Sequence, residues 1–416
     1  MKVVADFHIH SRFSRATSPK LDVESLGAWA ARKGILVLGT GDFTHPKWLE
    51  ELKTKLEPAE PGLFKIKGSE NRTRFILTSE ISCIYAKGYK TRKIHIIVFA
   101  PDFETVEKIN VQLGWIGNLK ADGRPILGLD AKELVKIVLN ANPNNFLVPA
   151  HAWTPWFSIF GSKSGFNSIQ ECFEEYSKYI FAIETGLSSD PAMNWRLSAL
   201  DKISLISNSD AHSLQKIGRE ANVFDLESLS FSSIIEAIKS KDPKRFLYTI
   251  EFFPEEGKYH YDGHRDCNIS FSPKETQKTG GICPVCGKLL TIGVLSRVEE
   301  LADRPEGFVP PGAIPFKSLI PLDEIIAEAL GSNPGTKMVE DEYEKLVGNF
   351  KNELNVLLEV SAQELEKATL AEIAEGIIRT REKKIFVEPG YDGVYGKIRI
   401  FSKGEQKDLS KQKTLF

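Results

Sequence analysis

Two histidines near the amino terminus form the first candidate metal-binding pair. His8 and His10 are separated by one residue, and side chains on a strand alternate between its faces, so both imidazoles point to the same side. A lone His-x-His pair is more often structural than chelating, but this pair has companions farther along the chain. Further candidate ligands lie within or directly after other apolar runs: Asp42, Glu80, His95, His151, Glu184, Asp210 and His212. The sequence therefore predicts a metal centre assembled from residues that are far apart in the chain.

This set of ligands indicates which ions and which chemistry to expect. Neutral imidazoles with a few carboxylates suit Zn²⁺ or Mn²⁺ better than Mg²⁺ or Ca²⁺, and the Glu80 carboxylate can bridge two ions. Two or more ions a few ångströms apart polarise a phosphoryl group and convert a bound water to hydroxide near neutral pH. We therefore expect a polynuclear centre that hydrolyses phosphoesters.

The cysteines predict a second, separate metal site. Cys267 and the pair Cys283 and Cys286 are separated by fifteen residues, the pair is followed by glycine, and His264 precedes Cys267. This spacing is typical of a zinc ion with four protein ligands, for which His260 is an alternative to His264. Four protein ligands leave no coordination position for water, so this zinc is predicted to be structural.

The pattern of apolar residues predicts the strands and helices that bring the histidine and carboxylate ligands together. Short runs rich in Val, Ile and Phe alternate with amphipathic stretches, which is typical of a parallel sheet wrapped by helices. Seven such runs are predicted strands: Val3–Phe7, Ile35–Gly39, Arg74–Thr78, Lys93–Phe99, Asn145–Pro149, Ile180–Ile183 and Ile203–Ser207. Seven strands alternating with helices imply an α/β barrel, in which the carboxyl ends of the strands converge on one face. The metal centre is predicted on that face.

The remainder of the chain is predicted to add smaller parts to a barrel domain of residues 1–250. Glycine, proline and cysteine become dense after residue 250, so residues 251–300 are predicted as an inserted or appended zinc-binding module. Residues 301–401 are predicted as a mostly helical C-terminal domain with a strand-like end, and residues 402–416 as a loose polar tail. The predicted helices of this domain are Leu322–Leu330, Glu340–Leu358 and Ser361–Arg379.

Composition excludes one class of protein and leaves the partner open. Hydrophobic residues make up 42% of the 416 residues, and no apolar run approaches the ~18 residues of a membrane span, so a membrane protein is excluded. The amino terminus lacks the apolar segment and cleavage site of a secretory signal, so we expect a cytoplasmic protein. The net charge of −2 does not demand a polyanionic partner, although local basic patches can bind one.

The candidate ligands lie in motifs that resemble those of the polymerase and histidinol phosphatase (PHP) superfamily. The motifs are Asp6-Phe7-His8-Ile9-His10-Ser11, Gly41-Asp42-Phe43-Thr44-His45-Pro46, Glu80, His95, Pro149-Ala150-His151 and Asn208-Ser209-Asp210-Ala211-His212. The resemblance implies a distorted seven-stranded barrel and catalysis through His8, His10, Glu80 and Asp210. It also implies that those four residues hold one ion and that a second is held by Glu80, His95 and His151.

A third ion is expected in this superfamily, and here its ligands are incomplete. Phe43 and Ser14 stand where the superfamily has ligands, so a third ion would be left with His212 and Asp42. The resemblance therefore implies two or three divalent ions, Zn²⁺, Mn²⁺ or Mg²⁺, at the barrel face.

The zinc module and three longer segments narrow the resemblance. Residues 149–160, 186–196 and 208–222, together with the zinc module, resemble the endonuclease Q family of DNA repair nucleases. This resemblance implies nicking of double- or single-stranded DNA on the 5′ side of deaminated bases (hypoxanthine, uracil and xanthine) and of abasic sites. A small-molecule phosphomonoesterase on the same barrel is the alternative, and a DNA-binding protein without catalysis is a third hypothesis. The zinc module argues against the small-molecule phosphomonoesterase, and the complete ligand set argues against a DNA-binding protein without catalysis.

Aromatic and basic residues close to the ligands in sequence are predicted to contact DNA. The aromatic residues follow His151 and either pack in the core or support a nucleotide drawn out of the helix. The basic residues lie in turn-like or glycine-rich segments and are either merely solvated or bound to phosphates. The predicted contacts are Trp153, Trp156, Phe157, Lys163, Lys90, Arg92 and Arg124.

The end of the chain suggests one protein partner. Gln412 and Leu415 match the Gln-x-x-aliphatic spacing at the start of the peptide that docks repair proteins on the sliding clamp. The aromatic pair that completes this peptide is absent, because the chain stops at Phe416, so the match is either accidental or belongs to a truncated peptide. We predict clamp binding through residues 412–416 on this basis.

Overall fold

The computed structural model describes residues 1–402 and Glu405, and strands alternate with helices through its first part. The strands there are β1 (Lys2–Asp6), β2 (Val37–Gly39), β3 (Leu56–Pro58), β4 (Phe64–Ile66), β5 (Arg74–Lys87), β6 (Lys90–Ala100), β7 (Ile126–Leu127), β8 (Phe146–Pro149), β9 (Ala182–Glu184), β10 (Ser204–Ile206), β11 (Ala221–Asp225) and β12 (Phe246–Glu251). The α-helices are α1 (Val23–Lys33), α2 (Pro46–Lys55), α3 (Phe103–Gly114), α4 (Ala131–Ala141), α5 (Ile169–Phe173), α6 (Pro191–Asn194) and α7 (Phe231–Ser240). Each of the seven predicted strands overlaps a strand of the structure.

The second part of the chain consists of two short hairpins, one further strand and a group of helices. Its strands are β13 (Asp262–His264), β14 (Ile269–Phe271), β15 (Phe316–Ser318), β16 (Phe386–Glu388) and β17 (Lys397–Arg399). Its helices are α8 (Pro273–Lys278), α9 (Val294–Leu301), α10 (Leu322–Ala329), α11 (Lys337–Phe350), α12 (Glu353–Leu358), α13 (Ala362–Ala368) and α14 (Ala371–Arg381). The predicted helical C-terminal region is therefore confirmed.

The two longer predicted helices of this region are each divided in two. The backbone of Lys351 is left-handed, with φ 76°, and the side chain of Asn352 accepts a hydrogen bond from the Asn355 amide at the start of α12. A side chain that caps a new amino terminus favours a break over a continuous helix. Periodicity alone did not reveal the break, because the apolar stripe continues across it.

The large sheet carries most of the strands. Its order is β15-β12-β11-β1-β2-β5-β4-β3, with β6 and β7 paired to β5 and β8 paired to β6. Strands β9 and β10 pair in parallel with each other. No ladder among the described residues joins this pair to β8 or β1, so the predicted closed barrel is not confirmed.

One strand runs opposite to the direction predicted from the sequence. β5 and β6 form a long antiparallel hairpin, and β8 is also antiparallel to β6. Lys87 pairs with Lys90 across a two-residue turn, Gly88-Tyr89, in which both residues have positive φ (60° and 57°). Such a turn joins neighbouring strands without a crossover helix, so the strands must be antiparallel. The prediction of a uniformly parallel sheet was wrong here.

Phenylalanine rings from four segments of the sheet pack against one another. The ring of Phe7, which follows β1, lies 5.5 Å from Phe99 on β6 and 6.3 Å from Phe224 on β11, and Phe99 lies 5.6 Å from Phe146 on β8. All four side chains are buried, and each such burial stabilises the fold by about 1.5–3 kcal/mol. Because His8, His95 and His151 lie on or just after the same strands, this packing also aligns three candidate ligands.

A buried ion pair attaches the C-terminal helices to α1. Lys33 Nζ lies 2.5 Å from Glu353 Oε2, and both side chains are about 5% exposed or less. Glu353 also accepts hydrogen bonds from the Leu322 amide (3.1 Å) and from the Tyr343 hydroxyl (2.7 Å). Neither charge is solvated, so each depends on the other.

No helix in the described part of the chain combines the length and the apolar character that crossing a membrane requires.

We expect Lys33→Met to destabilise the protein by about 3–5 kcal/mol, because the substitution leaves the Glu353 carboxylate buried without its cation. Urea unfolding followed by circular dichroism measures this free energy. The control is Lys108→Met, which removes an exposed pair with Glu104 inside α3 and should leave the unfolding midpoint unchanged. Equal effects of the two substitutions would contradict the role of the buried pair.

Candidate metal centres

The structure brings four of the predicted ligands into one group. The ligating atoms of His8, His10, Glu80 and Asp210 lie within 4.8 Å of one another. His10 Nε2 is 3.0 Å from Asp210 Oδ1 and 3.4 Å from Glu80 Oε2, and His8 Nε2 is 3.6 Å from each of these oxygens. His8 Nε2 is buried and has no hydrogen-bond partner, which is the environment of a nitrogen that faces an ion. These donors therefore fit a divalent cation.

A second group of ligands shares Glu80 with the first. His95 Nδ1 lies 2.6 Å from Glu80 Oε1, and His151 Nε2 lies 3.1 Å from the same oxygen. The two imidazole nitrogens are 3.2 Å apart. Glu80 thus directs Oε2 to the first group and Oε1 to the second, which is the geometry of a carboxylate that bridges two ions.

The β5–β6 hairpin places Glu80 and His95 away from the ends of their strands. Glu80 pairs with Ile97, and His95 pairs with Ser82. Because side chains alternate along a strand, Glu80 and His95 lie on the same face as diagonal neighbours. The sequence argument assumed that convergence of strand ends would bring them together, whereas antiparallel register does so.

Two ligands lie on left-handed backbone. Asp210 has φ 47° and His151 has φ 29°. Asp and His are among the residue types most often found in this region, and such positions cluster where a side chain must be aimed. The His10 amide donates to the Ala211 carbonyl at 3.0 Å, which fastens the loop of Asp210 to the end of β1.

Asp42 and His212 are not brought together as a third group of ligands in the described residues. The carboxylate of Asp42 accepts hydrogen bonds from His10 Nδ1 (3.0 Å), from the amide and hydroxyl of Ser11 (both 2.7 Å) and from the Ser14 hydroxyl (2.9 Å). His212 is about one-third exposed, and its Nδ1 lies 2.9 Å from the Asp210 carbonyl. Ser14, which stands where the resemblance to the PHP superfamily implies a ligand, is one of the donors that occupy Asp42.

The charged states in the two groups depend on one another. Burial alone lowers the pKa of His8, but Glu184 and Glu80 outweigh burial and raise that pKa well above its usual value. Burial likewise raises the pKa of Glu80, but His95 and Arg124 outweigh it and hold that pKa well below the usual range. Burial lowers the pKa of His95 to about 4, so its imidazole is neutral. A cation at His8 Nε2, whether a proton or a metal, is therefore stabilised by its surroundings.

A cavity of about 410 Å³ opens over the second group. Arg124 lines it and donates from Nη1 to Glu80 Oε2 at 2.9 Å. Arg15 and Asp122 also line it, and the sequence argument missed both because they lie in loops without a recognisable motif. Candidate ligands and aromatic residues also line it: His95, His151, Asp210, Trp156 and Phe157.

The four predicted zinc ligands also form a group. The ligating atoms of His264, Cys267, Cys283 and Cys286 lie within 4.8 Å of one another, and His264 Nδ1 is 3.8 Å from Cys286 Sγ. The amide of Gly287, whose φ is 71°, donates to the Cys283 carbonyl at 2.9 Å and closes the turn that carries both thiols. The alternative ligand, His260, is buried and stacks on Tyr261 outside this group.

Family models and curated proteins match this chain over different lengths. A family model described as PHP-associated matches residues 195–243, and one described as the MJ0043 C-terminal domain matches residues 321–384. YqxK of Bacillus subtilis is 30% identical over 414 residues, which cover 96% of this chain and 99% of YqxK. MJ0043 of Methanocaldococcus jannaschii is 34% identical over 255 residues, 60% of this chain, which span only 31% of MJ0043.

Two solved structures match almost the whole chain. The crystal structure of the lesion-specific endonuclease PfuEndoQ from Pyrococcus furiosus is 30% identical, has a TM-score of 0.85 and covers 99% of both chains. A complex of endonuclease Q with a 27-mer duplex substrate carrying an abasic lesion at the active site is also 30% identical with a TM-score of 0.85, over 97% of this chain and 98% of that chain. The chain belongs to the endonuclease Q family.

In this endonuclease Q family member, the predicted aromatic DNA contacts differ in exposure. Trp153 is fully buried, and its indole N–H donates to Asn194 Oδ1 at 2.7 Å, so the structure contradicts the predicted DNA contact of Trp153. Trp156 is 39% exposed at the rim of the cavity. Phe157 packs against the ring of His95 at 4.7 Å. The ring nearest in sequence to His151 therefore belongs to the core, because the chain turns inward directly after that ligand.

Some of the basic residues predicted to contact DNA are exposed, whereas others already contact groups of the protein. Lys90 and Lys163 are exposed. Arg92 instead lies 4.1 Å over the ring of Phe166 and donates to the Gly165 carbonyl, which limits its reach toward a phosphate. Within the loop of Lys163, the amides of Lys163 and Gly165 donate to the carbonyls of Pro155 and Gly161, so these two N–H groups are not available to an anion.

Glu251 of this endonuclease Q family member is fully buried, and its carboxyl group accepts hydrogen bonds from threonine hydroxyls rather than from a candidate ligand. Burial raises its pKa to about 8, although hydrogen bonds from the hydroxyls of Thr249 (2.5 Å) and Thr185 (2.9 Å) oppose the shift. Between the ordinary glutamate pKa and pH 8, the folded protein therefore retains a proton that the unfolded chain releases. Stability from this residue is complete at acid pH and is lost as the pH rises through that window.

We expect Glu251→Gln to gain stability relative to the parent protein as the pH rises from 5 to 8.5, by on the order of 1 kcal/mol or more, because Gln imitates the neutral carboxyl and cannot ionise. Thermal unfolding at both pH values measures the difference. The exposed Glu104→Gln serves as the control and should show no such pH dependence. An equal response of the two variants would disprove the raised pKa of Glu251.

Proposed function

We propose that this protein is a metal-dependent DNA repair endonuclease that hydrolyses a phosphodiester beside a lesion. The observation that carries the proposal is the pair of ligand groups joined through the two oxygens of Glu80, at the base of a cavity lined by Arg124 and Trp156. Likeness over nearly the whole chain to a lesion-specific endonuclease supports it.

The DNA substrate is proposed from the relatives. The complex of endonuclease Q with a 27-mer duplex carrying an abasic lesion supports damaged duplex DNA as the partner of this chain. The sequence resemblance extends the proposal to uracil, hypoxanthine and xanthine, with the cut on the 5′ side of the lesion. Single-stranded DNA and the cytoplasmic location stay predictions.

The residues of each group would hold one divalent ion, Zn²⁺ or Mn²⁺ in preference to Mg²⁺, because the two groups together contain four imidazoles and two carboxylates. When bound, such ions supply Lewis-acid polarisation of a phosphoryl oxygen and lower the pKa of water. The chain itself orients the ligands: Glu80 connects the groups, and Asp210 supplies negative charge at the first. Arg124 places its guanidinium beside Glu80 within the cavity, where it can bind a phosphate oxygen. A third ion is not part of this proposal, because hydrogen-bond donors already occupy Asp42.

We infer that the strands around the centres form the distorted seven-stranded barrel of the PHP superfamily. Two backbone hydrogen bonds beyond the strand ends support this arrangement. The Ala152 amide after β8 donates to the Glu184 carbonyl on β9 at 2.9 Å, and the His10 amide after β1 donates to the Ala211 carbonyl after β10 at 3.0 Å. Both bonds lie on the path that would connect β8, β9, β10 and β1. The domain boundaries at residues 250, 300 and 401 are proposed with it.

The cysteine group is proposed to hold a structural zinc in a DNA-gripping module. Its four protein ligands leave no position for water. The module extends the surface of the cavity, because Tyr259 contacts Trp156 at 5.6 Å and the exposed Tyr395 lies near Lys258. Aromatic rings and a lysine on one surface suit contact with nucleic acid. The sliding-clamp prediction concerns residues 412–416, which lie outside the described residues, and it stays a prediction.

Duplexes with a single uracil, hypoxanthine or abasic residue and a labelled end test the proposed function directly. Incubation with the protein and Mn²⁺ should produce one nick at the 5′ side of the lesion, and undamaged duplex should stay intact. A small-molecule phosphatase would leave all of these duplexes uncut while hydrolysing a phosphomonoester.

We expect Asp210→Asn to abolish nicking of a lesion duplex while preserving the fold and lesion binding. Asn tolerates the left-handed backbone of this position but removes the carboxylate charge of the first group. Gel-based cleavage and fluorescence-anisotropy binding separate the two effects. A variant that nicks at the parent rate would show that Asp210 is not needed for the reaction.

Replacing both Cys283 and Cys286 by Ser should weaken lesion-duplex binding and lower thermal stability, because the module loses the ion that orders it. Metal-dependent hydrolysis of a small phosphodiester should persist, since the barrel centres are separate. The opposite pattern, with small-ester hydrolysis lost and DNA affinity unchanged, would assign the cysteine ion to the chemistry.

A further inference from the structure

We propose that Glu184 is a positioning residue that directs the metal-binding nitrogen of His8 toward the first ligand group. Glu184 ends β9 and is fully buried. It does not belong to either group of candidate ligands at the barrel face. Its side chain instead contacts the far side of the His8 imidazole, at 3.0 and 3.1 Å from Nδ1. This inference rests on the proposed metal centre.

The carboxylate of Glu184 connects three segments that carry the centre. Besides His8 after β1, its Oε2 accepts the amide N–H of His151 after β8 at 2.7 Å. Its Oε1 accepts a hydrogen bond from Asn208 Nδ2, two residues before Asp210, at 2.9 Å. One buried side chain thus contacts the segments that present His8, His151 and Asp210.

The donors and acceptors around Glu184 can be assigned without ambiguity. The His151 amide can only donate, so Oε2 must accept. Asn208 Oδ1 accepts the Phe7 amide at 2.9 Å, so the amide group of Asn208 cannot be flipped and its Nδ2 must donate to Oε1. Both oxygens of Glu184 therefore accept hydrogen bonds from these two segments.

The state of His8 follows from this assignment. Nδ1 faces two accepting oxygens, so it must carry a hydrogen and donate it. When the imidazole is neutral, its lone pair is then on Nε2, the buried nitrogen without a hydrogen-bond partner that faces Glu80 and Asp210. A carboxylate behind a histidine in this way selects the tautomer, fixes the ring and increases the basicity of the ligating nitrogen.

Glutamine cannot replace Glu184 in this network. In one orientation its NH₂ group meets the His151 amide, and in the other it meets the NH₂ of Asn208, so two donors oppose each other in either case. We therefore expect Glu184→Gln to weaken Mn²⁺ binding by about 10- to 100-fold.

The test is a double-mutant cycle on Mn²⁺ affinity, measured by isothermal titration of metal-stripped protein without DNA. The four proteins are the parent, Glu184→Gln, His8→Ala and the double variant. If Glu184 acts through His8, its substitution weakens binding more in the parent than when His8 is absent. An equal loss in both backgrounds would show a general structural role and overturn the proposal.

The matched control is Glu251→Gln, which alters another fully buried glutamate whose hydrogen bonds come from hydroxyl groups rather than ligand-bearing segments. Its Mn²⁺ affinity should equal that of the parent. If Glu184→Gln does not fold, Glu184→Asp keeps the charge but shortens the reach to His8, and its affinity should also fall. Unchanged affinity in a folded Glu184 variant would overturn the proposal. Because no DNA is present, this outcome is distinguishable from a failure of the proposed nuclease function.

Discussion

The arrangement of the centres depends on the burial of one negative charge, the carboxylate of Glu80. A carboxylate that is 2% exposed is stable only where cations and hydrogen-bond donors surround it. Here imidazoles approach both of its oxygens, and Arg124 adds a guanidinium at 2.9 Å. Two groups of ligands form around the two oxygens, so the need to compensate this charge also brings the two groups close together.

Packing and backbone constraints hold the ligand groups in place. Buried phenylalanine rings align β6, β8 and the end of β1. The long β5–β6 hairpin fixes Glu80 and His95 by register, and left-handed backbone aims His151 and Asp210. Two carboxylates also orient histidine rings by contacting the Nδ1 nitrogen. Asp42 contacts His10, and Glu184 contacts His8.

The remaining parts of the chain add surface around the part that carries the centres. The cysteine module reaches the cavity rim through the contact of Tyr259 with Trp156. The helical region is attached to the first part of the chain by the buried pair of Lys33 and Glu353 and by β15, which extends the large sheet beside β12. A substrate as long as a DNA duplex requires such added surface, whereas a small phosphomonoester does not.

Much of the site could be predicted because the identity of a ligand is local information. The spacing of His8 and His10 indicated a chelating pair, the polar residues on the apolar strands indicated their partners, and the cysteine spacing indicated the group of His264 and three cysteines. The predicted strands were also found, since each apolar run is long enough to be recognised by itself. Which family the chain resembles followed from the same motifs.

Tertiary structure alone decided the direction of β6, the burial of Trp153 and the role of Asp42. Direction depends on whether a turn or a helix joins two strands, and Gly88-Tyr89 is too short a signal to overrule the alternating pattern. Burial and hydrogen bonding depend on neighbours that are distant in sequence, such as Asn194 beside Trp153 and His10 beside Asp42. A sequence lists the donors and acceptors of a site, but only the folded chain determines which of them are already satisfied by each other and which remain free to bind an ion.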